Sequence, residues 1–236
     1  MKQLGVKPAQ DFVSADIAFA LPTVPDQNRD RPEQCVGIGV MTYRGWKKME
    51  KDGDAIYRDY VSKVTTLVTR LLASGRQVRL LIGDKGDIEA ARDILEQLAP
   101  AEANKVAFEP SASLHELMQQ IAKTDVVIAS RYHNIVCALA MGRPTISMAY
   151  ASKNDALLHD TGLAAFCHRI DNFDPETILS QVDFAFEHQT ILTTQVKAGV
   201  ERYRSRLARQ EELLHTTFLD NVRSTADPAI QSLRPN

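Results

Sequence analysis

The sequence predicts an α/β fold, a Rossmann-like parallel sheet with helices on both faces. Three observations predict it. From Cys35 onward, short apolar runs alternate with helical stretches. The runs are apolar throughout, as strands covered on both faces require. Capping residues and glycines mark where the helices begin and end. Strand and helix alternating at this spacing form βαβ units, and ligands of such sheets bind beyond the carboxyl ends of the strands.

The elements follow in order. Met1 to Val6 reads as the end of a helix and Val13 to Leu21 as a strand. The polar, proline-rich stretch from Leu21 to Pro32 reads as a linker. Cys35 to Tyr43 is a strand, followed by a loop through Gly45 and Trp46. Asp54 to Ala73 is a long amphipathic helix, with Ile56, Tyr60, Val64, Leu67, Val68, Leu71 and Leu72 on one face and Gly75 as its C′ residue. Val78 to Ile82 is a strand, and Asp87 caps a helix to Leu98. Val106 to Glu109 is a short strand. Ser113 and Glu116 form a capping box for a helix to Lys123. A strand at Asp125 to Ala129, a helix ending at Gly142, a strand at Thr145 to Ala149 and a helix from about Asn154 come next. A strand at Phe166 to Ile170, a helix from Pro175 and a long polar helix to Leu219 complete the set.

The implied organisation is a remnant of an N-terminal domain at 1–21, a linker at 22–34, a Rossmann-like domain at 35–189, a long helix at 190–223 and a tail at 224–236. The first segment either completes the main sheet or belongs to a domain outside this chain.

Composition excludes several classes. With 28 basic and 30 acidic residues, a net charge of −2 offers no general field for nucleic acid. No apolar run approaches the ~20 residues of a membrane span, and the N-terminus lacks a signal-peptide core. Cys35, Cys137 and Cys167 stand far apart in apolar surroundings and read as reduced thiols of a cytoplasmic protein. His115, His159, His168, His188 and His215 show no metal-ligand spacing, so no metal is expected. Gly37-Ile38-Gly39 lacks the third glycine of a dinucleotide fingerprint, and Gly83 to Asp87 lacks the lysine-serine/threonine pair of a P-loop. Lys197, Arg202, Arg204, Arg206 and Arg209 lie on the long helix among Glu201, Glu211 and Glu212, which reads as a solvated face or, alternatively, as a docking face for a membrane or partner.

The most informative stretch is Ser130-Arg131-Tyr132-His133-Asn134, between a strand and a helix. An arginine and a histidine at a helix start meet the positive end of the helix dipole, a conflict that a bound anion removes. This reading expects the two side chains to face a small acidic molecule, with no internal carboxylate plugging them and Asp87 serving only as a cap. On structural grounds alone, Arg131 reads equally as a surface arginine and His133 as a capping histidine.

These residues, with Ala138-Leu139-Ala140-Met141-Gly142-Arg143-Pro144 and Tyr150-Ala151-Ser152-Lys153, resemble the C-terminal signature of the polysaccharide pyruvyl transferases. Asp16-Ile17-Ala18-Phe19 is similar to the segment that ends the N-terminal domain of that family. The resemblance runs from about Val13 to Leu163 and implies the C-terminal half of a GT-B fold, two Rossmann-like domains across a cleft. It also implies transfer of a pyruvyl group from phosphoenolpyruvate to a sugar hydroxyl, as a ketal, in exopolysaccharide or cell-surface polysaccharide biosynthesis.

On that reading no cofactor is needed beyond phosphoenolpyruvate as donor substrate, and a sugar or lipid-linked oligosaccharide is the acceptor. Arg131 and His133 are the catalytic candidates. Arg44, Ser130, Asn134, Tyr150 and Lys153 are the substrate-binding candidates. Lys153 and Arg44 are expected as point charges at strand ends, and His133 as an acid/base or a phosphate ligand, both roles staying open. The expected partners also include a membrane surface at its inner face, a second copy of the chain or a separate N-terminal half. Two competing readings stand beside it. One is a nucleotide-sugar glycosyltransferase of the same architecture, with Asp84 as its ribose carboxylate. The other is an anion-binding half-protein without turnover.

Overall fold

The computed structural model describes residues 15–25, 34–45 and 52–216. Six parallel strands form one sheet in the order β3-β2-β1-β4-β5-β6. They are β1 (Cys35–Gly39), β2 (Gln77–Leu81), β3 (Val106–Phe108), β4 (Val126–Ala129), β5 (Thr145–Ala149) and β6 (Cys167–Arg169). The helices are α1 (Gly53–Ala73), α2 (Ile88–Gln97), α3 (Pro100–Ala103), α4 (Leu114–Ile121), α5 (Tyr132–Ala140), α6 (Ser152–Asp160), α7 (Pro175–Glu187) and α8 (Gln189–Leu214). The order reverses between β1 and β4, which pair through Val36 with Val126 and Gly39 with Ala129. Such a switch point opens a crevice between the two strand ends.

The physics of the sequence explains the layers. Every residue of β1, β4 and β5 is buried, as central strands demand, whereas the edge strands β3 and β6 are only half covered. Helix α1 buries Tyr60, Val64, Leu67, Val68 and Leu71 and packs against α2 and α7. Across the sheet, α5 packs against α4 and α6. Helix α1 ends where Gly75, at φ +82°, lets the amides of Gly75 and Arg76 turn back onto Leu72 and Leu71. Ser113 accepts the Glu116 amide at 3.1 Å, and the Glu116 carboxylate reaches back to the Ala112 amide at 2.7 Å.

The described residues form two compact units. Residues 21–200 make the larger one. Within it, the first part of α8 buries Val196 and Val200, and Gly199 closes onto Thr161. The smaller unit contains the segment up to Ala20 and the later residues of α8, where Phe19 stacks on Tyr203 at 4.6 Å. Lys197 of the basic run lays its stem against Gly142, and Arg204 faces Glu201 at 3.9 Å.

Several expected elements are corrected. The segment read as a strand forms a 3-10 turn at Ile17–Ala20, because the Asp16 carboxylate and carbonyl draw in the Ala18 and Phe19 amides. It adds no strand to the sheet. Strand β1 stops at Gly39 rather than Tyr43, since the Tyr60 hydroxyl accepts the Met41 amide at 3.1 Å and the Asp87 carboxylate accepts that of Thr42 at 3.0 Å. Side chains there replace the ladder. Helix α4 ends at Ile121, and β6 begins only at Cys167, after a 3-10 turn at Ala164–Phe166. The readings at Met1 to Val6, at Trp46 and at the tail lie outside the described residues.

Candidate active site

The crest at the switch point is built from four connections. Beyond β4 the chain stays tied to the sheet, because the Ser130 amide donates to the Gly39 carbonyl at 3.2 Å and the Ser130 carbonyl accepts the Asn154 amide at 3.1 Å. Arg131 is the N-cap residue of α5, in extended backbone and with no side-chain bond to the helix end. The start of α5 therefore lacks a side-chain cap and lies at the crevice.

Arg131 is the best-held side chain of the crest. Its Nε and Nη2 donate to the two carboxylate oxygens of Asp87 at 2.8 and 2.7 Å. Asp87 is fully buried and also accepts the Thr42 amide, so one carboxylate joins the connections after β1, β2 and β4. These bonds raise the Arg131 pKa above its ordinary value against the opposing effect of burial. The reading of Asp87 as a simple cap is thus corrected. Asp84 takes the capping role in the preceding 3-10 turn, by accepting the Gly86 amide at 2.8 Å, while the Asp87 side chain makes no cap bond. The expectation that no internal carboxylate meets Arg131 is corrected too. With its side chain only 28% exposed, the guanidinium is too dehydrated to stand unpaired, and Asp87 neutralises it. Nε and Nη2 are thus the atoms that Asp87 engages, and no bond from Nη1 to the described residues accompanies them.

His133 and Lys153 reach the same place from α5 and α6. His133 is exposed and meets the Tyr132 ring edge-on at 5.7 Å. Lys153 sits in the first turn of α6 rather than at a strand end, and its Nζ lies 4.3 Å over the Tyr132 ring. Tyr132 thereby joins an ammonium to an imidazole beside Arg131. Tyr150 is half-buried.

Of the remaining candidates, Ser130 and Asn134 lie buried beside Arg131, and Arg44 has partners of its own. Ser130 is fully buried, its hydroxyl 3.4 Å from that of Tyr60, whose pKa burial pushes up to about 12. Asn134 is also fully buried and neither polar atom of its amide has a partner. The side chain is wedged between strand ends. A Cβ at Gly39 would lie 2.5 Å from its Nδ2, and one at Gly83 2.1 Å from its Oδ1. Gly39 and Gly83 therefore supply room for Asn134, not a phosphate loop. Arg44 turns away from the crest. It pairs with Asp54 and, at 2.8 Å, with Glu89, and covers the Tyr57 ring at 4.5 Å.

A cavity of about 540 Å³ opens beside the crest, lined by Tyr43, Asp59, Tyr60, Tyr150, Arg169 and Asp171 among others. Sequence reasoning missed Asp87, Tyr132 and Tyr60. Only Tyr132, enclosed by Arg131 and His133, stood beside a visible signal. Among the described residues no cluster of three His, Cys, Asp or Glu could hold a metal ion, and no helix is long and apolar enough to cross a membrane. The three cysteines form no disulfide among the described residues, and burial followed by Asp155 pushes the Cys167 thiol up to about 11.

The model of the family described as polysaccharide pyruvyl transferase matches residues 1–152. The chain belongs to this family. The match takes in Arg131, His133 and Tyr150 and ends one residue short of Lys153. A search of curated proteins finds no match. Among solved structures, a mutant O-GlcNAc transferase of Thermobaculum terrenum superposes with a TM-score of 0.51 at 15% identity, over 86% of this chain and 40% of that one. At that identity the likeness shows the fold alone, the Rossmann-like architecture of a GT-B glycosyltransferase. This chain spans 40% of the length of that structural neighbour.

Proposed function

We propose that the chain transfers a pyruvyl group from phosphoenolpyruvate to a sugar in exopolysaccharide or cell-surface polysaccharide biosynthesis. The observation that carries the reading is the group of Arg131, His133 and Lys153 around Tyr132 at the uncapped start of α5. Phosphoenolpyruvate brings about three negative charges, given a second phosphate pKa of ~6. Because Asp87 cancels one cation, the anion site consists of the free Nη1 edge of Arg131, the Lys153 ammonium and the first amides of α5. Asp87 fixes the plane of that edge, which keeps the fork oriented before a donor arrives.

In a cyclic ketal two sugar hydroxyl oxygens end on the former enol carbon. One hydroxyl proton ends on the methylene carbon, which becomes a methyl group, and the other leaves with the phosphate as the C–O bond to phosphate breaks. His133 is exposed at the site and is the candidate to move these protons or to hold the departing phosphate.

Calorimetry with phosphoenolpyruvate against a uridine diphosphate sugar tests the reading. Preference for the nucleotide sugar would overturn it in favour of a glycosyltransferase. Donor binding without phosphate release over a broad panel of acceptor sugars would favour an anion-binding half-protein. Arg131→Ala is expected to weaken phosphoenolpyruvate at least tenfold, about 1.4 kcal/mol; unchanged affinity in a folded variant would remove Arg131 from the donor site. His133→Gln separates the two roles, since lost turnover with retained donor affinity marks proton transfer.

A further inference from the structure

We infer that the cavity at the carboxyl ends of β5 and β6 seats a neutral hexose, the acceptor, beside the anion site that holds the donor. The inference rests on the pyruvyl-transfer reading for the word acceptor, and on the cavity itself for the sugar.

Size and wall come first. About 540 Å³ lies within the range of small-ligand sites, which run from ~300 to 1,000 Å³. Tyr60 forms a fixed wall. Its hydroxyl accepts the Met41 amide at 3.1 Å, and its ring is braced edge-on by Tyr43 at 6.4 Å and Phe173 at 6.2 Å. Tyr43 and Tyr60 are buried behind the surface, and the half-buried Tyr150 is the ring that the cavity presents. A ring of this kind covers the C–H face of a pyranose and needs little ordering on binding.

Charge then decides between ligand classes. The lining offers two carboxylates, Asp59 and Asp171, and one guanidinium, Arg169. Each carboxylate already has a cation of its own, Lys63 at 2.7 Å from Asp59 and Arg169 at 3.6 Å from Asp171. Among the described residues of the lining, no positive charge is left over for a trianion. Both carboxylates are more than half exposed and keep oxygens that accept hydrogen bonds from sugar hydroxyls. The cavity suits a ring rich in hydroxyls and poor in charge.

Position supplies the last step. Tyr150 lines the cavity just beyond β5, the strand paired with β4, which leads into Arg131. Tyr60 lines it too, and its hydroxyl lies 3.4 Å from that of Ser130, the residue before Arg131. A hexose in the cavity would thus be separated from the anion site by single side chains.

Saturation-transfer NMR and calorimetry on the whole chain test this, with methyl β-galactoside, methyl β-glucoside and methyl α-mannoside as probes and phosphoenolpyruvate in parallel. At least one hexoside is expected to bind, and Asp59→Ala and Asp171→Ala are expected to weaken it at least fivefold while phosphoenolpyruvate stays within twofold. Both positions are exposed, and thermal melts check that the variants fold. Phosphoenolpyruvate binding with no hexoside binding would overturn the inference and leave the donor reading in place. Hexoside binding indifferent to both substitutions would also overturn it. Hexoside binding that obeys the substitutions, with no phosphoenolpyruvate binding, would support the cavity as a sugar site and overturn the donor reading instead.

Discussion

Arg44 and Arg131 follow β1 and β4, the neighbouring strands at which the sheet order reverses, and both carry carboxylate partners. The partners differ in one respect. Asp87 is wholly buried under Arg131, whereas Asp54 and Glu89 lie at the surface with side chains 75% and 51% exposed. Water competes for both ends of the Arg44 pairs but is excluded from the Asp87 end of the Arg131 pair. Two arginines in equivalent places along the chain therefore have different roles. One fastens the crest, and the other decorates the junction of α1 and α2.

The comparison is broken most directly at Asp87. Asp87→Ala leaves a half-buried guanidinium unpaired and is expected to cost about 3 kcal/mol, near the low end for breaking a buried pair because Arg131 keeps some contact with water. Urea unfolding measures it, and a loss as small as that for Arg44 would erase the distinction. Next comes Gly83→Ala. The added methyl group would run into the Asn134 amide, and about 2 kcal/mol of overpacking is expected from the same unfolding curves.

Tyr60→Phe should cost about 1 kcal/mol, since the buried Met41 amide loses its acceptor. This variant also carries a pH signature. The folded Tyr60 pKa is raised to about 12 against an ordinary 10.0, so the folded state holds the phenol proton more tightly. The stability this provides is complete below pH 10 and is lost as pH rises through 12. The wild type should therefore lose stability faster than Tyr60→Phe across that alkaline window. An identical slope for both would disprove the assignment. The smallest effect is expected for Arg44→Ala, below about 1 kcal/mol and shrinking with salt. A larger, salt-resistant loss would mean that its partners are less solvated than their exposure indicates.

How far the fold could be read depended on the range of the interaction concerned. Helix α1 with Gly75, the Ser113 cap and the placing of Arg131 between β4 and α5 rest on contacts within a few residues, and the spacing of the sequence displays those. The Asp87–Arg131 pair spans 44 positions. Nothing near Gly83 to Asp87 tells which of two aspartates caps a turn and which points inward. The burial of Asn134 is hidden from the sequence for the same reason. The glycines that make room for its amide belong to β1 and to the connection after β2, far away in the chain. Lys153 was displaced by a single turn, because α6 begins at Ser152 and carries the lysine onto Tyr132.

The Asp87 carboxylate has a consequence for how the edge of the sheet opens. It grips Thr42 on one side and Arg131 on the other, and the Thr42 hydroxyl in turn donates to the Gly86 carbonyl at 2.8 Å. Three loops are thereby laced through one atom cluster, so none can peel away alone. The amide proton of Thr42 becomes a sentinel for the whole rim, because its exchange with solvent deuterium requires that lacing to come undone.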